Sequence, residues 1–221
     1  MTFQRARSKE QREIRRQAIL DTAAAMLDEM PVADVSLNEL SRRVGLAKSN
    51  VLRYFESREA VLFELLERAM ARCLAEVPDE LAKGVDPHLS ARERGDQVAA
   101  VLSASLARHT VLLDLINAQP NVLEHNVSVD VVVRHKRSAI AGLTNTADLI
   151  RQYVPELGDD ALTVAMMTMI LAGALSSYCR PSASTAAAYE ADPTVSVLRL
   201  DLRTTLEHAT ATLIAGTLAR A

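Results

Sequence analysis

Residues 36–62, SLNELSRRVGLAKSNVLRYFESREAVL, constrain the fold more than any other part of the chain. Apolar residues at helical spacing, such as Leu40, precede Gly45, and a second set that includes Val51 follows it. This spacing predicts two short helices that pack on each other across a glycine turn. The polar side chains of the second helix are then left facing outward.

The rest of the chain also has the pattern of helices. Hydrophobic residues make up 49% of its 221 residues, and only 7 Gly and 7 Pro interrupt it. Strand-like alternation is hard to find, so we predict an all-α fold. The predicted helices cover about 9–29, 37–44, 48–54, 58–76, 91–109, 110–119, 129–153, 161–179 and 194–218. Residues 78–96 and 180–193 are predicted as a breaker-rich linker and a loop.

Several polar residues are predicted to cap these helices. Ser36 with Glu39 and Ser90 with Glu93 have the spacing of a capping box. Either Asp159 or Asp160 is predicted to cap the apolar helix that starts at Ala161. Ser57 is predicted to cap the helix that follows the second short helix.

A glycine between two short helices allows two interpretations. One is a plain helical corner. The other is a helix-turn-helix whose second helix enters the DNA major groove. Four polar residues would then be exposed, of types that suit base edges and phosphates: Lys48, Ser49, Asn50 and Arg53.

Charge is unevenly distributed along the chain. The net charge is −3, but the first 20 residues hold six Lys or Arg against two Glu. A basic end on an acidic body indicates contact with a polyanion. The residues before Ile14 could reach a DNA backbone or minor groove, and a solvated, disordered tail is the alternative.

The stretch GLAKSNVLRYFESREAVL resembles the helix-turn-helix signature of the TetR family of transcriptional repressors, and RRQAILDTAAAMLDEM resembles that family's first helix. The resemblance covers roughly residues 10–65. It implies that the groove-facing set above reads DNA and that Tyr54 and Arg58 contact phosphates. Ser36, Asn38 and Arg43 are further candidates for DNA contact. Leu52 stands where the family usually has tyrosine, so one hydroxyl donor is absent.

The resemblance also implies two domains. Residues 1–56 would form the DNA-binding domain with its basic tail, and residues 57–221 a helical domain for ligand binding and dimerisation. The last two long helices would form the interface of a homodimer that binds a palindromic operator. A small, largely apolar inducer would bind between the inner helices. Candidate lining residues are His109, Met166, Met167, Met169 and Tyr178, with core filling as the alternative role of the methionines.

Other functional classes find little support in the sequence. We see no nucleophile elbow, phosphate-binding loop or dinucleotide fingerprint, and His109, His125 and His135 lack a metal-binding spacing. We therefore expect no catalytic residue, cofactor or metal, although an enzyme without a recognisable motif and a helical adaptor stay open. Two distant cysteines and the absence of a signal sequence favour the cytoplasm. The apolar run 161–175 is too short to cross a bilayer and is predicted as a core helix.

Overall fold

The computed structural model describes the backbone of residues 2–220 and the side chains of residues 10–220. Every regular element in that range is helical, which confirms the predicted all-α fold class. The α-helices are α1 Thr2–Glu29, α2 Leu37–Val44, α3 Lys48–Val51, α4 Arg58–Gly84, α5 Ala91–Arg108, α6 Thr110–Ala118, α7 Val129–Tyr153, α8 Ala161–Tyr178, α9 Ala183–Ala191 and α10 Leu202–Leu218.

The chain forms two compact units. The first comprises residues up to Arg68 together with Ala118–His135, and the second comprises Ala69–Asn117 with the residues from Lys136 onward. Both α4 and α7 therefore have one end in each unit. The predicted domain boundary after residue 56 rests on the sequence motif and stays a prediction.

The core of the first unit is built around α1. Ile19, Leu20, Ala23 and Met26 are fully buried, and they recur at helical spacing on one face of the helix. The short helix α2 adds Leu40 to this core, which α1 and α2 share. Burial of each large side chain stabilises the fold by about 1.5–3 kcal/mol, so this face fixes the position of α1.

Ion pairs hold α2 in place from the solvent side. Arg43 bonds Glu29 of α1 at 2.7 Å and Glu39 of its own helix at 2.8 Å. Glu39 also accepts from Arg42 at 2.6 Å. Hydrogen bonds from Arg42 and then Arg43 lower the pKa of Glu39 to about 2. The carboxylate of Glu39 is therefore ionised over the whole physiological range.

The second unit is a helical bundle in which α10 packs on α5 and α8. Small residues allow the closest approaches. A Cβ added at Gly95 of α5 would lie 2.6 Å from Ile214 Cγ2 of α10, and one at Gly173 of α8 would lie 2.7 Å from Ile116 Cγ2 of α6. Both distances are shorter than van der Waals contact, so glycine is required for this packing.

The structure corrects the predicted end of α4. The sequence predicts an end near residue 76, before Pro78, but the helix continues to Gly84. A proline inside a helix costs about 3 kcal/mol. Val77 and Leu81 are both buried, and their burial contributes about 1.5–3 kcal/mol each, which offsets that cost.

Other boundaries differ for local reasons. The predicted loop 180–193 contains the alanine-rich α9, which Ser182 caps by accepting a hydrogen bond from the Thr185 amide. Helix α10 begins at Leu202 rather than near 194, because Asp201 accepts from the Thr204 amide and caps it. Helix α1 begins at Thr2 rather than near residue 9, α3 ends at Val51, and a π-helical turn, Gln119–Leu123, follows α6.

The capping predictions have different outcomes. Ser90 and Glu93 form the complete capping box. Ser36 accepts from the Glu39 amide at 3.1 Å, but the Glu39 carboxylate turns to Arg42 and Arg43, so the reciprocal half of the predicted box is absent. Asp160 precedes α8 without making a side-chain cap bond. Ser57 accepts from the Ala60 amide as predicted.

Within the described residues, one helical stretch, Pro155–Tyr178, is long and apolar enough to cross a membrane by length and composition, with a mean hydropathy of 1.6 over 18 residues. The core helix of a soluble protein passes the same test, and 44% of the apolar 18-residue window within this stretch is buried inside the protein. Its buried side, which includes Val164, Ala165 and Ala172, faces the bundle of the second unit.

The close approach at Gly95 generates a stability prediction. Gly95→Ala should lower the free energy of unfolding by about 1–3 kcal/mol, because its new methyl group overlaps Ile214. Gly142→Ala is the matched control. This variant also replaces glycine by a residue that favours helix, and its new Cβ would lie 3.6 Å from its nearest neighbouring atom. It should therefore be neutral or stabilising by up to about 1 kcal/mol. Urea unfolding at one protein concentration measures both, and equal effects would contradict the packing.

The ion pairs of Glu39 generate a pH prediction. Because the folded pKa lies below the unfolded one, the stabilisation by this carboxylate is complete above about pH 4.5 and is lost as the pH falls towards 2. Glu39→Gln should therefore be less stable than the wild type at pH 6, with the difference shrinking as the pH falls from 4.5 to 3. Urea unfolding at each pH measures it. Glu13→Gln, on the exposed side of α1, should show no such trend.

Candidate nucleic-acid interface

The turn between α2 and α3 is set by Gly45. Its φ of 70° and ψ of 29° lie in the left-handed region, which costs other residues about 1–2 kcal/mol. The Leu46 amide bonds back to the Ser41 carbonyl at 3.0 Å and closes the end of α2. A Cβ at this position would meet nothing within 4 Å, so backbone conformation alone explains the glycine.

Helix α3 and the turn after it have one buried side and one exposed side. Val51 is fully buried and Phe55 nearly so. The four residues predicted to face the groove are all exposed: Lys48, Ser49, Asn50 and Arg53. The structure therefore brings these four together on one accessible surface, with Tyr54 half-buried at its edge.

Two predicted DNA contacts from α2 and its N-terminus are also accessible. Asn38 is exposed on the first turn of α2. Ser36 is exposed as well, although its hydroxyl oxygen already accepts the hydrogen bond of the Glu39 amide. Both residues flank the N-terminal end of α2.

Arg43 and Arg58 have partners within the protein. Arg43 spans Glu29 and Glu39, as described above. Arg58 donates to the carbonyl oxygens of Val35 at 3.0 Å and Ala33 at 3.4 Å, and it pairs with the buried Glu59. Arg43 thus connects α2 to α1, and Arg58 holds the segment that enters α2, so their phosphate contacts stay predictions.

Arg16, which the sequence analysis did not select, ties α1 to the turn after α3. Its guanidinium lies 4.8 Å from the centroid of the Phe55 ring and forms two hydrogen bonds with the Glu64 carboxylate of α4. Arg68 donates to the same carboxylate at 3.0 Å. A cation over an aromatic ring contributes about 0.5–1 kcal/mol or more when partly desolvated. Arg16 and Glu64 are 48 positions apart in the sequence, so no local pattern could predict this contact.

An open concavity of about 540 Å³ lies beside the exposed side of α3. Arg15 was not among the predicted DNA contacts, and Arg12 was predicted only as part of a basic tail. Their separation of three residues on a helix was the available signal, because it puts both on one face. The lining residues are Gln11, Arg12 and Arg15 of α1, and Leu46, Asn50, Arg53 and Tyr54. The other basic residues of the predicted tail, Arg5, Arg7 and Lys9, lie outside the described side chains.

The predicted ligand-lining residues do not converge in one place. Met169 is buried, Met167 is half-buried, and Met166 and Tyr178 are exposed at 38% and 73%. The His109 ring lies 3.2 Å from the Glu76 carboxylate. The second unit contains a small cavity of about 190 Å³, and none of these five residues lines it. Its lining is Thr110, Leu113, Ser176, Cys179, Arg180, Leu200, Asp201 and Leu202.

No group of three His, Cys, Asp or Glu side chains that could hold a metal ion occurs in the described part of the chain. Its two cysteines are free. Burial raises the pKa of the Cys73 thiol to about 11, so this cysteine is protonated and serves the core.

Solved structures share the fold. A TetR transcriptional regulator from Rhodococcus sp. RHA1 aligns with a TM-score of 0.55 and 15% identity, over 93% of this chain and 96% of the other. The regulator FadR from Bacillus subtilis, solved in complex with stearoyl-CoA, aligns with a TM-score of 0.54 and 14% identity, over 90% of this chain and 98% of FadR.

Sequence relatives match a part of the chain. The HTH-type transcriptional regulator EthR of Mycobacterium tuberculosis is 42% identical over 53 residues, which are 24% of this chain and 24% of EthR. The uncharacterized HTH-type transcriptional regulator Rv1255c of the same species is 30% identical over 69 residues, 31% of this chain and 34% of its own length. These matches therefore span only about a quarter to a third of the relatives.

Family comparisons cover almost the whole chain. Residues 19–65 match the family described as "Bacterial regulatory proteins, tetR family". Residues 67–221 match the family described as "Tetracyclin repressor-like, C-terminal domain". With both parts matched in the family's own order, the chain belongs to the TetR family of bacterial regulatory proteins.

Proposed function

We propose that this chain is a DNA-binding transcriptional regulator that acts as a repressor and binds a palindromic operator as a homodimer. The observation that carries the proposal is the exposed polar surface of α3, backed by the fully buried Val51. Family membership supports the same function. It also favours a regulator over the two alternatives, an enzyme and a helical adaptor, and it fits a protein of the cytoplasm.

In this function α3 enters the major groove. The Asn50 amide suits adenine, and the Arg53 guanidinium suits guanine, because each can form two hydrogen bonds with that base edge. Lys48, Ser49 and Tyr54 suit phosphates, which fix the position of the helix without reading sequence. Leu52 is 41% exposed on the same segment, and its apolar side chain suits contact with a thymine methyl group.

A homodimer would cover an apolar surface that the single chain leaves exposed. Leu162, Met166 and Ile170 recur at intervals of four residues on the solvent side of α8. Two copies related by a two-fold axis would pack these stripes, with α10 beside them, into a four-helix interface. The dimer would then present two α3 helices to successive major grooves, about 34 Å apart.

Regulation by a small, largely apolar molecule is the second part of the proposal. FadR of Bacillus subtilis, which shares the fold, was solved with stearoyl-CoA bound. The cavity of about 190 Å³ in the second unit is smaller than the roughly 300–1,000 Å³ of common ligand pockets. An inducer that binds in this cavity would therefore be small or would displace side chains that line it, such as Leu113 and Leu202. Release of DNA follows if the inducer binds the DNA-free conformation more tightly.

The proposed interface predicts the effects of two substitutions. Arg53→Ala should weaken binding to a selected genomic fragment by about 10–100-fold and relax sequence preference, because it removes a base contact. Lys48→Ala should weaken binding to all sequences alike, because a phosphate contact carries no sequence information. Titration of labelled duplexes at fixed salt measures both.

The matched controls are Arg72→Ala and Lys83→Ala, which remove the same charges from exposed positions on α4. They should leave binding nearly unchanged, and circular dichroism should show native helix in all four variants. If selection from genomic fragments enriches no sequence with the wild-type protein, the proposed function is wrong.

The proposed dimer predicts a change of mass. Ile170→Glu should convert the dimer to a monomer, because it puts a charge into an apolar interface that excludes water. Ile140→Glu is the control, since Ile140 is similarly exposed, at 63% against 53%, but lies on α7. Sedimentation equilibrium distinguishes the two masses. A dimer that survives Ile170→Glu but not Ile140→Glu would put the interface on α7 instead.

A further inference from the structure

We propose that the concavity beside α3 is a binding site for a backbone phosphate of DNA, formed by Arg12 and Arg15 of α1 together with Tyr54. The site rests on the proposed DNA-binding function and adds a part of α1 to it. It would fix the depth and register of α3 in the groove, because Asn50 lies on its wall.

The sequence of α1 directs positive charge to this side of the helix. Successive residues are about 100° apart around a helix axis, so Gln11, Arg12 and Arg15 fall within a sector of about 100°. The same geometry puts Glu10 and Glu13 on the other side of α1. Among the residues with described side chains, the concavity is accordingly lined by three arginines and by no carboxylate.

The arginines of this site differ in their partners from the arginines that form ion pairs within the first unit. In the first unit Arg16, Arg42, Arg43, Arg58 and Arg68 all bond carboxylates of the protein. Among the described side chains, no carboxylate pairs with Arg12, Arg15 or Arg53. Three guanidinium groups that share a concavity without an internal counter-ion repel one another. An external anion relieves that repulsion.

The chemistry of the lining fits a phosphate better than a base. A guanidinium group binds phosphate oxygens through two parallel hydrogen bonds, and the Tyr54 hydroxyl can donate a third. The exposed position of Arg12 and Arg15 leaves their side chains free to reach a strand. A carboxylate of a protein partner would use the same donors, so the measurement must separate the two anions.

The test is the salt dependence of DNA binding by the full-length chain. Arg12→Gln/Arg15→Gln should reduce the slope of log Kobs against log salt by about 0.9 for each phosphate that the variant no longer binds, hence by about 1.8 if the protein binds as a dimer. Affinity should fall by the same factor for the selected operator fragment and for a duplex of random sequence, because a phosphate carries no sequence information.

Two further variants separate charge from structure. Arg12→Lys/Arg15→Lys keeps the charge and should keep most of the slope. Arg72→Gln/Arg92→Gln removes two exposed positive charges from α4 and α5 and should leave the slope unchanged. Circular dichroism should give the same helix content for all of these proteins.

Each other outcome overturns the proposal. An unchanged slope in Arg12→Gln/Arg15→Gln means that no phosphate binds there, which would leave the anion of a protein partner as the occupant. A loss of affinity confined to the operator fragment means that the arginines read bases rather than phosphates. A wild-type protein that binds neither duplex would refute the proposed function itself, and this site with it.

Discussion

The candidate interface depends on the burial of Val51 and Phe55. Helix α3 has only four residues, and isolated helices shorter than about 12–15 residues are marginal in water. Its shape therefore comes from tertiary packing, with Val51 fully buried, and from the left-handed turn at Gly45. Because these contacts are apolar and face inward, the polar residues of α3 are left facing outward on a rigid support.

The basic residues of the first unit fall into two groups, one that bonds partners within the protein and one that is exposed for recognition. Arg16, Arg43 and Arg58 bond protein partners that connect α1, α2 and α4. Lys48 of α3 and Arg53 of the turn after it are exposed, at the surface that the proposed function assigns to DNA. The same residue type thus has two uses, and the position of acidic partners decides between them. Glu29, Glu39, Glu59 and Glu64 all serve the supporting arginines.

Local signals in the sequence predicted part of this architecture well. The bounds of α2 and α7 are confirmed at both ends, because α2 is limited by a capping serine and a left-handed glycine, and α7 by its periodicity and the proline after it. The predicted end of α4 and the predicted loop at α9 are wrong, because both predictions were based on helix-breaking residues alone. Pro78 is tolerated because Val77 and Leu81 are buried by residues distant in sequence, which a local window does not contain.

The prediction of site residues was limited in the same way, because a local pattern does not contain contacts between residues that are distant in sequence. The helical pattern predicted the exposure of Lys48, Ser49 and Asn50, and it also predicted the exposure of Arg53, which lies in the turn after the helix. The internal partners of Arg58 and the concavity beside α3 depend on residues far apart in the sequence, so periodicity could not predict them. The five ligand candidates were selected by composition, and the fold scatters them between core and surface.

Hydroxyl-radical footprinting of a selected operator tests the central claim most directly. If α3 is the reading element of a symmetric dimer, the wild-type protein should protect two patches of backbone related by a two-fold axis, one helical turn of about 10 base pairs apart. Asn50→Ala should erase both patches at a concentration where Asn145→Ala, an exposed asparagine of α7, retains them. A single patch, or two patches that persist in Asn50→Ala, would contradict the account.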